Sequence, residues 1–149
     1  MKSSLIGLVI IGAAAAAVSF KPQATKEDAQ AAMDRATRYA ASNGNEALVK
    51  SLQKANSPLH AGATRVLVLD MAGNVVADPI QPQRVGRNVL DLKDAQGNYL
   101  FVDALQVANA SGEGWLYYKT RSPMTRAERR EAALVKRQGD VVLLATLND

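Results

Sequence analysis

Few side chains in this chain could do chemistry. The 149 residues include no Cys and a single His. This removes thiolate nucleophiles, disulfide staples, Cys-based zinc sites, CxxCH haem attachment and any site that needs two imidazoles. A hydrolase built on His60 would also need an acid partner and an oxyanion hole. No Gly-x-Ser-x-Gly elbow is present, and His60, in a loop after Ser57-Pro58, is expected to face solvent. Asp70, Asn74 and Asp78 bring oxygen ligands close enough in sequence to raise calcium, yet EF-hand spacing is absent and a hairpin turn uses the same residue types. No Gly-rich phosphate loop supports nucleotide binding. The chain is therefore read as a non-enzyme with neither cofactor nor metal. What remains for molecular recognition is the Tyr117-Tyr118 pair and a set of cations.

The whole-chain balance says which partners those cations would meet. Lys and Arg total 18 against 14 Asp and Glu, a formal charge of +4, with 48% hydrophobic and 21% charged residues. That is a globular composition at a length expected of one domain. The N-terminus bears on where it works. After Lys2, Leu5 to Val18 is an uninterrupted stretch of 14 apolar or Gly residues. This suits a signal-peptide core and falls short of the ~20 residues that span a bilayer as a helix. Ala17-Val18-Ser19 offers a cleavage pattern before Phe20, so residues 1–20 are expected to be a signal peptide, or else an N-terminal anchor in the inner membrane. Either way the remainder is expected to be periplasmic or secreted. Outside the cytoplasm, basic charge points to anionic small molecules or envelope polyanions rather than nucleic acid. The basic stretch Arg121 to Lys136 is read as a patch for an anionic lipid, polysaccharide or acidic protein, or as a solvated hairpin loop.

Several elements must position these side chains. Thr25-Lys-Glu-Asp28 starts a helix, with Thr25 as N-cap, and Ala29, Ala32, Met33, Ala36 and Ala40 recur at helical spacing. Asn43-Gly44-Asn45 interrupts the pattern, which resumes to Ala55 and stops at Ser57-Pro58. Arg65–Asp70 and Val75–Asp78 form a hairpin across Asp70-Met-Ala-Gly-Asn74. Residues 79–88 are loop. A turn at Asp94–Asn98 leads into a helix that ends at Ser111-Gly-Glu-Gly114 and presents Leu100, Phe101, Ala104, Leu105 and Ala108 on one face. Three strands follow: Trp115–Thr120, then Ala132–Arg137 and Val141–Leu147 about the Gly139-Asp140 turn, with Ser122–Arg130 a basic loop. The order predicts an α+β fold, its long N-terminal helix packed on an antiparallel sheet with helices on one side.

Val66-Leu-Val-Leu-Asp70, Gly73-Asn-Val-Val, Asp78-Pro79, Val85-Gly-Arg-Asn88, Asp94-Ala-Gln-Gly97, Gly112-Glu-Gly-Trp115, Tyr118-Lys119 and Leu134-Val-Lys-Arg137 stand in an order that resembles a single Cache domain. This is a PAS-like extracytoplasmic sensor module, and the resemblance covers about residues 28–147. It implies a PAS-like antiparallel sheet and a small-molecule pocket between that sheet and the loop near residues 79–95. The implied ligands are short carboxylates or related small metabolites, and a membrane signalling protein is the implied partner. An ionised carboxylate needs cations or converging N–H donors once desolvated. The candidates are Arg84 and Arg87 in the pocket-wall loop, together with Lys119, Lys136 and Arg137. Lys136 and Arg137 alternate across a strand, so at most one of them faces the pocket. Tyr118 would donate a hydrogen bond to a ligand oxygen, and Asp78 would accept one from a ligand amine or else terminate its strand. Leu134 stands where the family often has Tyr, and Val141–Leu147 lacks the small-residue and aromatic ending that goes with the fold. These departures imply an altered pocket. They open the alternative of a Cache-fold protein–protein interaction module of the cell envelope that has lost its ligand. Homodimerisation through the N-terminal helix is a further expectation.

Overall fold

A computed structural model describes residues 23–147; the leader expected at residues 1–20 lies outside the described residues. Thr25 caps α1 (Lys26–Asn43): its side chain accepts from the Asp28 N–H at 3.1 Å while the Asp28 carboxylate accepts from the Thr25 N–H at 3.1 Å. This reciprocal box satisfies two donors that the first helical turn would leave orphaned. Gly44, at φ +84°, ends α1 and starts α2 (Asn45–Leu52), so the interruption expected at Asn43–Asn45 is a true break. Ala29, Ala32, Met33, Ala36 and Ala40 form the buried stripe of α1, with Leu48 and Leu52 continuing it on α2.

Five strands follow: β1 (Arg65–Asp70), β2 (Val75–Ala77), β3 (Glu113–Arg121), β4 (Glu128–Gln138) and β5 (Val141–Leu147), with α3 (Leu100–Ser111) between β2 and β3. The sheet order is β2-β1-β5-β4-β3, and every pairing is antiparallel. The outer edge of β2 is covered by the following loop, where the Val75 N–H donates to the Arg87 carbonyl at 2.9 Å and the Gly86 N–H to the Val75 carbonyl at 2.8 Å.

Two expectations are corrected. The helices lie on both sides of the sheet, not one. Val66, Val68, Leu134, Val141, Leu143 and Ala145 pack with α1 and α2, whereas Leu67, Leu69, Val135, Val142 and Leu144 pack with Phe101, Ala104 and Ala108 of α3. The physical reason is visible in β1 and β5: their apolar runs are continuous rather than alternating, so both faces need cover. The second correction concerns the hairpin between β3 and β4. Glu128, Arg129 and Arg130 belong to β4, opposite Arg121, Thr120 and Lys119, which shortens the basic loop expected at Ser122–Arg130. Cross-strand ion pairs hold it closed, Glu128 reaching Lys119 at 3.5 Å and Arg121 at 3.4 Å.

Candidate functional site

A cavity of about 530 Å³ lies on the α3 side of the sheet. Strand alternation builds its floor: Arg65 and Leu67 from β1, Leu144 and Thr146 from β5, Glu131 and Ala133 from β4, and Tyr118 and Thr120 from β3 share one face. Asp78–Gln81 and Arg84 form one wall, Leu92–Ala95 another, and Leu100 and Phe101 at the start of α3 close the end.

Each wall is shaped by a side chain that organises the backbone. Asp78 is 4% exposed, and its Oδ1 accepts from the Ile80 N–H at 3.1 Å and the Gln81 N–H at 2.8 Å. Gln53 of the residues following α2 clamps the same residue, accepting from the Asp78 N–H at 3.3 Å. Arg84 extends from a short 3₁₀ turn (Pro82–Arg84), its Nε donating to Gln81 Oε1 at 2.8 Å and its guanidinium standing 4.0 Å from the Asp78 carboxylate. On the other wall, Asp94 Oδ1 accepts from the Gln96 and Asn98 N–H groups at 2.9 and 2.8 Å. Burial would raise the Asp94 pKa, but hydrogen bonds led by Asn98 outweigh it and hold the carboxyl below its ordinary range.

The floor carries the polar chemistry. Tyr118 faces Glu131 across β3 and β4. Burial first, then the charge of Glu131 and the hydrogen bond to it, drive the Tyr118 pKa far upward, so the phenol stays protonated. Thr120 Oγ1 donates to Glu131 Oε1 at 2.8 Å. Across the floor, Arg65 donates to the Gly62 and Thr64 carbonyls at 3.0 and 3.1 Å.

Of the seven residues singled out from the sequence, the structure brings Tyr118, Arg84 and Asp78 into the cavity wall or floor. Lys119 also borders it. Strand alternation directs its side chain to the opposite face, where it meets Glu128, while its main-chain carbonyl accepts from the Ala95 N–H at 2.8 Å and ties the Leu92–Ala95 wall to β3. Arg87 and Lys136 are not brought to the cavity. Arg87 is exposed, and its carbonyl serves the β2 edge. Lys136 lies on the same face of β4 as Leu134, away from the cavity. Arg137 donates to Asn109 Oδ1 at 3.1 Å, near the end of α3. The floor residues Glu131, Thr120 and Arg65 were missed. The signal was present in the pairing of Glu131 opposite Tyr118, but that register exists only once the hairpin is placed.

Leu134 is 2% exposed and belongs to the α1-side core, opposite Trp115. The departure from the family pattern at this position therefore fills the core and leaves the cavity untouched, because Ala133 is the β4 neighbour that lines it. His60 is likewise corrected. It is 6% exposed, with Nδ1 accepting from the Val66 N–H at 3.2 Å and Nε2 meeting the Leu52 and Lys54 carbonyls at 3.2 and 3.0 Å. It joins the end of α2 to β1.

Comparison with known proteins gives a consistent result. The family model described as "Single Cache domain 2" matches residues 13–139, beginning within the stretch expected to be leader. A comparison with curated protein sequences gives no match. Among solved structures, a periplasmic sensor domain of a chemotaxis protein superposes with a TM-score of 0.60 at 20% identity, covering 81% of this chain and 88% of that one. A methyl-accepting chemotaxis protein from Vibrio parahaemolyticus gives 0.62 at 20% identity, covering 82% and 86%. A Cache chemosensory domain whose structure is described for carboxylic acid recognition gives 0.58 at 13% identity, covering 81% and 86%. At these identities the likeness is one of fold.

Proposed function

This chain belongs to the single Cache domain 2 family of extracytoplasmic sensor modules, and we propose that it binds a short carboxylate or similar small metabolite without transforming it. The observation that carries this reading is the 530 Å³ cavity, which is of ligand size, largely apolar in its walls and edged by a few placed polar groups. Arg84 is the cation for the carboxylate end. Its Nε is engaged by Gln81 and its ion pair with Asp78 is long, so the guanidinium edge keeps donors for a second acceptor. Asp78 acts on the ligand indirectly, by setting the loop from which Arg84 projects. Binding without turnover is supported by the cavity's own groups: Tyr118 is held protonated, and His60 stands outside the lining with both ring nitrogens engaged by backbone.

Residues 1–20 are proposed to direct export or to anchor the domain at the inner membrane. Among the described residues no helix is long and apolar enough to cross a membrane. Signal output is proposed to pass to a membrane signalling protein. The apolar stripe of α1 faces the sheet, so a homodimer through this helix would use its polar outer side, with Gln30 and Arg38.

A thermal-shift screen of the purified protein against short carboxylates tests the reading. A ligand that binds only the folded state stabilises it by about 2.7 kcal/mol at 100 times its dissociation constant. A saturable rise in melting temperature with one chemical class, lost in Arg84→Ala, is expected. Silence across carboxylates, amines, amino acids and purines would end the sensor reading in favour of the interaction module. The exposed Ile80, Val85, Leu92 and Tyr99 around the cavity loop would then be the surface to examine.

A further inference from the structure

The cavity floor carries a cation, Arg65 on β1, and two strands away a carboxylate, Glu131 on β4; the latter bears on the other end of the ligand. Glu131 lines the cavity, yet no cation among the described residues pairs with it: Thr120 Oγ1 donates to it at 2.8 Å, and Tyr118 stands directly opposite it on the facing strand. The Thr120 hydroxyl proton is thereby directed at the carboxylate. What Thr120 can still offer a ligand is its oxygen lone pairs, and Glu131 has acceptor capacity to spare. A carboxylate on a cavity wall is costly to cover unless a positive or hydrogen-bond-donating group meets it. The opposite wall differs in sign, since Arg84 presents donors there.

We propose that Glu131, Tyr118 and Thr120 form an ammonium subsite, and that the ligand is a short amino acid, its carboxylate at Arg84 and its protonated amine at Glu131. This inference rests on the sensor reading above and narrows it. A simple fatty acid would leave Glu131 without a cationic partner and add a further negative charge to a cavity already lined by Asp78, Asp94 and Glu131. An amino acid answers both poles. Tyr118 then acts as an acceptor toward the amine, whereas a carboxylate contact would require it to donate.

The experiment is a pair of isothermal titrations on the full chain at pH 7. Matched probes differ only in the amine: alanine against propionate, and the four-carbon 2-aminobutyrate against butyrate. The amino acids are expected to bind and the unsubstituted acids to bind at least about 30-fold more weakly, the scale of one buried charged hydrogen bond. Glu131→Gln is expected to cost the amino acids a similar factor and to leave the unsubstituted acids unchanged or improved. Thr120→Val provides a second variant with the charge intact, and a smaller loss for amino acids alone is expected. Far-ultraviolet circular dichroism reports whether each variant is folded. Equal or tighter binding of propionate and butyrate, with Glu131→Gln indifferent for both classes, would overturn the ammonium subsite while leaving the carboxylate sensor standing. Binding of neither class, with the wild type folded, would overturn both.

Discussion

His60 shows how one buried side chain couples acidity to stability. Burial lowers its pKa below the ordinary 6.5, more than hydrogen bonds to the Lys54 and Leu52 carbonyls raise it, and the Arg65 guanidinium adds to the lowering. The native ring is therefore neutral where the unfolded ring would already be protonated. The unfolded state then binds more protons, so stability falls as pH drops below 6.5 and levels only beneath the folded-state pKa. The Arg35 guanidinium donates to the His60 carbonyl at 3.0 Å and holds this segment against α1. Thermal melts between pH 7.5 and 5 should show this decline in the wild type and a flat profile in His60→Gln. Asp70 does not confuse the result. Burial opposes its ionisation, but hydrogen bonds led by Asn74 outweigh it and depress its pKa below 3.8, so its stabilisation is lost only at more acidic pH. A second residue-scale prediction contrasts two turn glycines. Gly73 and Gly97 have φ of +84° and +85°, but a Cβ on Gly73 would collide with the Leu90 side chain, whereas none of the described atoms lies within 4 Å at Gly97. Gly97→Ala should cost about 1 kcal/mol from backbone conformation alone. Gly73→Ala should cost about 2–4 kcal/mol, because strain and overpacking add. Urea titrations measure both.

The loop from Asp78 to Arg84 is the element on which the proposed site depends. One carboxylate receives two backbone N–H groups, so the loop's shape is set by charge-assisted hydrogen bonds rather than by an extensive apolar core. Asp78→Ala leaves those donors without their partner and should cost about 1–3 kcal/mol. It should also weaken every cavity ligand, because Arg84 loses its platform. Asp78→Asn keeps an acceptor and should retain most of the stability. Ligand titration beside denaturation separates these effects. Equal ligand affinity in Asp78→Ala and wild type would show that the loop does not position Arg84.

The molecule as a whole is a sheet between two unlike covers: α1 and α2 on one face, and α3 with the cavity on the other. Leu143 and Leu144 are neighbours on β5, respectively 0% and 2% exposed, on opposite faces. Each truncation to Ala should cost about 2–5 kcal/mol, since both leave a void in packed apolar surroundings. Only Leu144 also lines the cavity, so only Leu144→Ala should change ligand affinity once stability is accounted for. A sheet covered on one side would make one of the two substitutions nearly neutral.

Local patterns in the chain determined the elements: the Thr25 capping box, the Gly44 break, the hairpin turns at Asp70–Asn74 and Gly139-Asp140, and the Cache resemblance that runs through them. These features depend on residues within a few positions of one another, where spacing translates directly into backbone geometry. The alternation of Tyr117 and Tyr118 belongs to the same class, and with it the assignment of Tyr118 to the face opposite Trp115. Only the tertiary structure decided which sheet face each helix covers, that Leu134 fills a core, that His60 is buried between α2 and β1, and that Glu131 rather than Lys136 borders the cavity. These outcomes depend on register between strands and on helices brought in from distant sequence. A one-residue change of register would exchange every one of those faces while leaving local propensity unchanged.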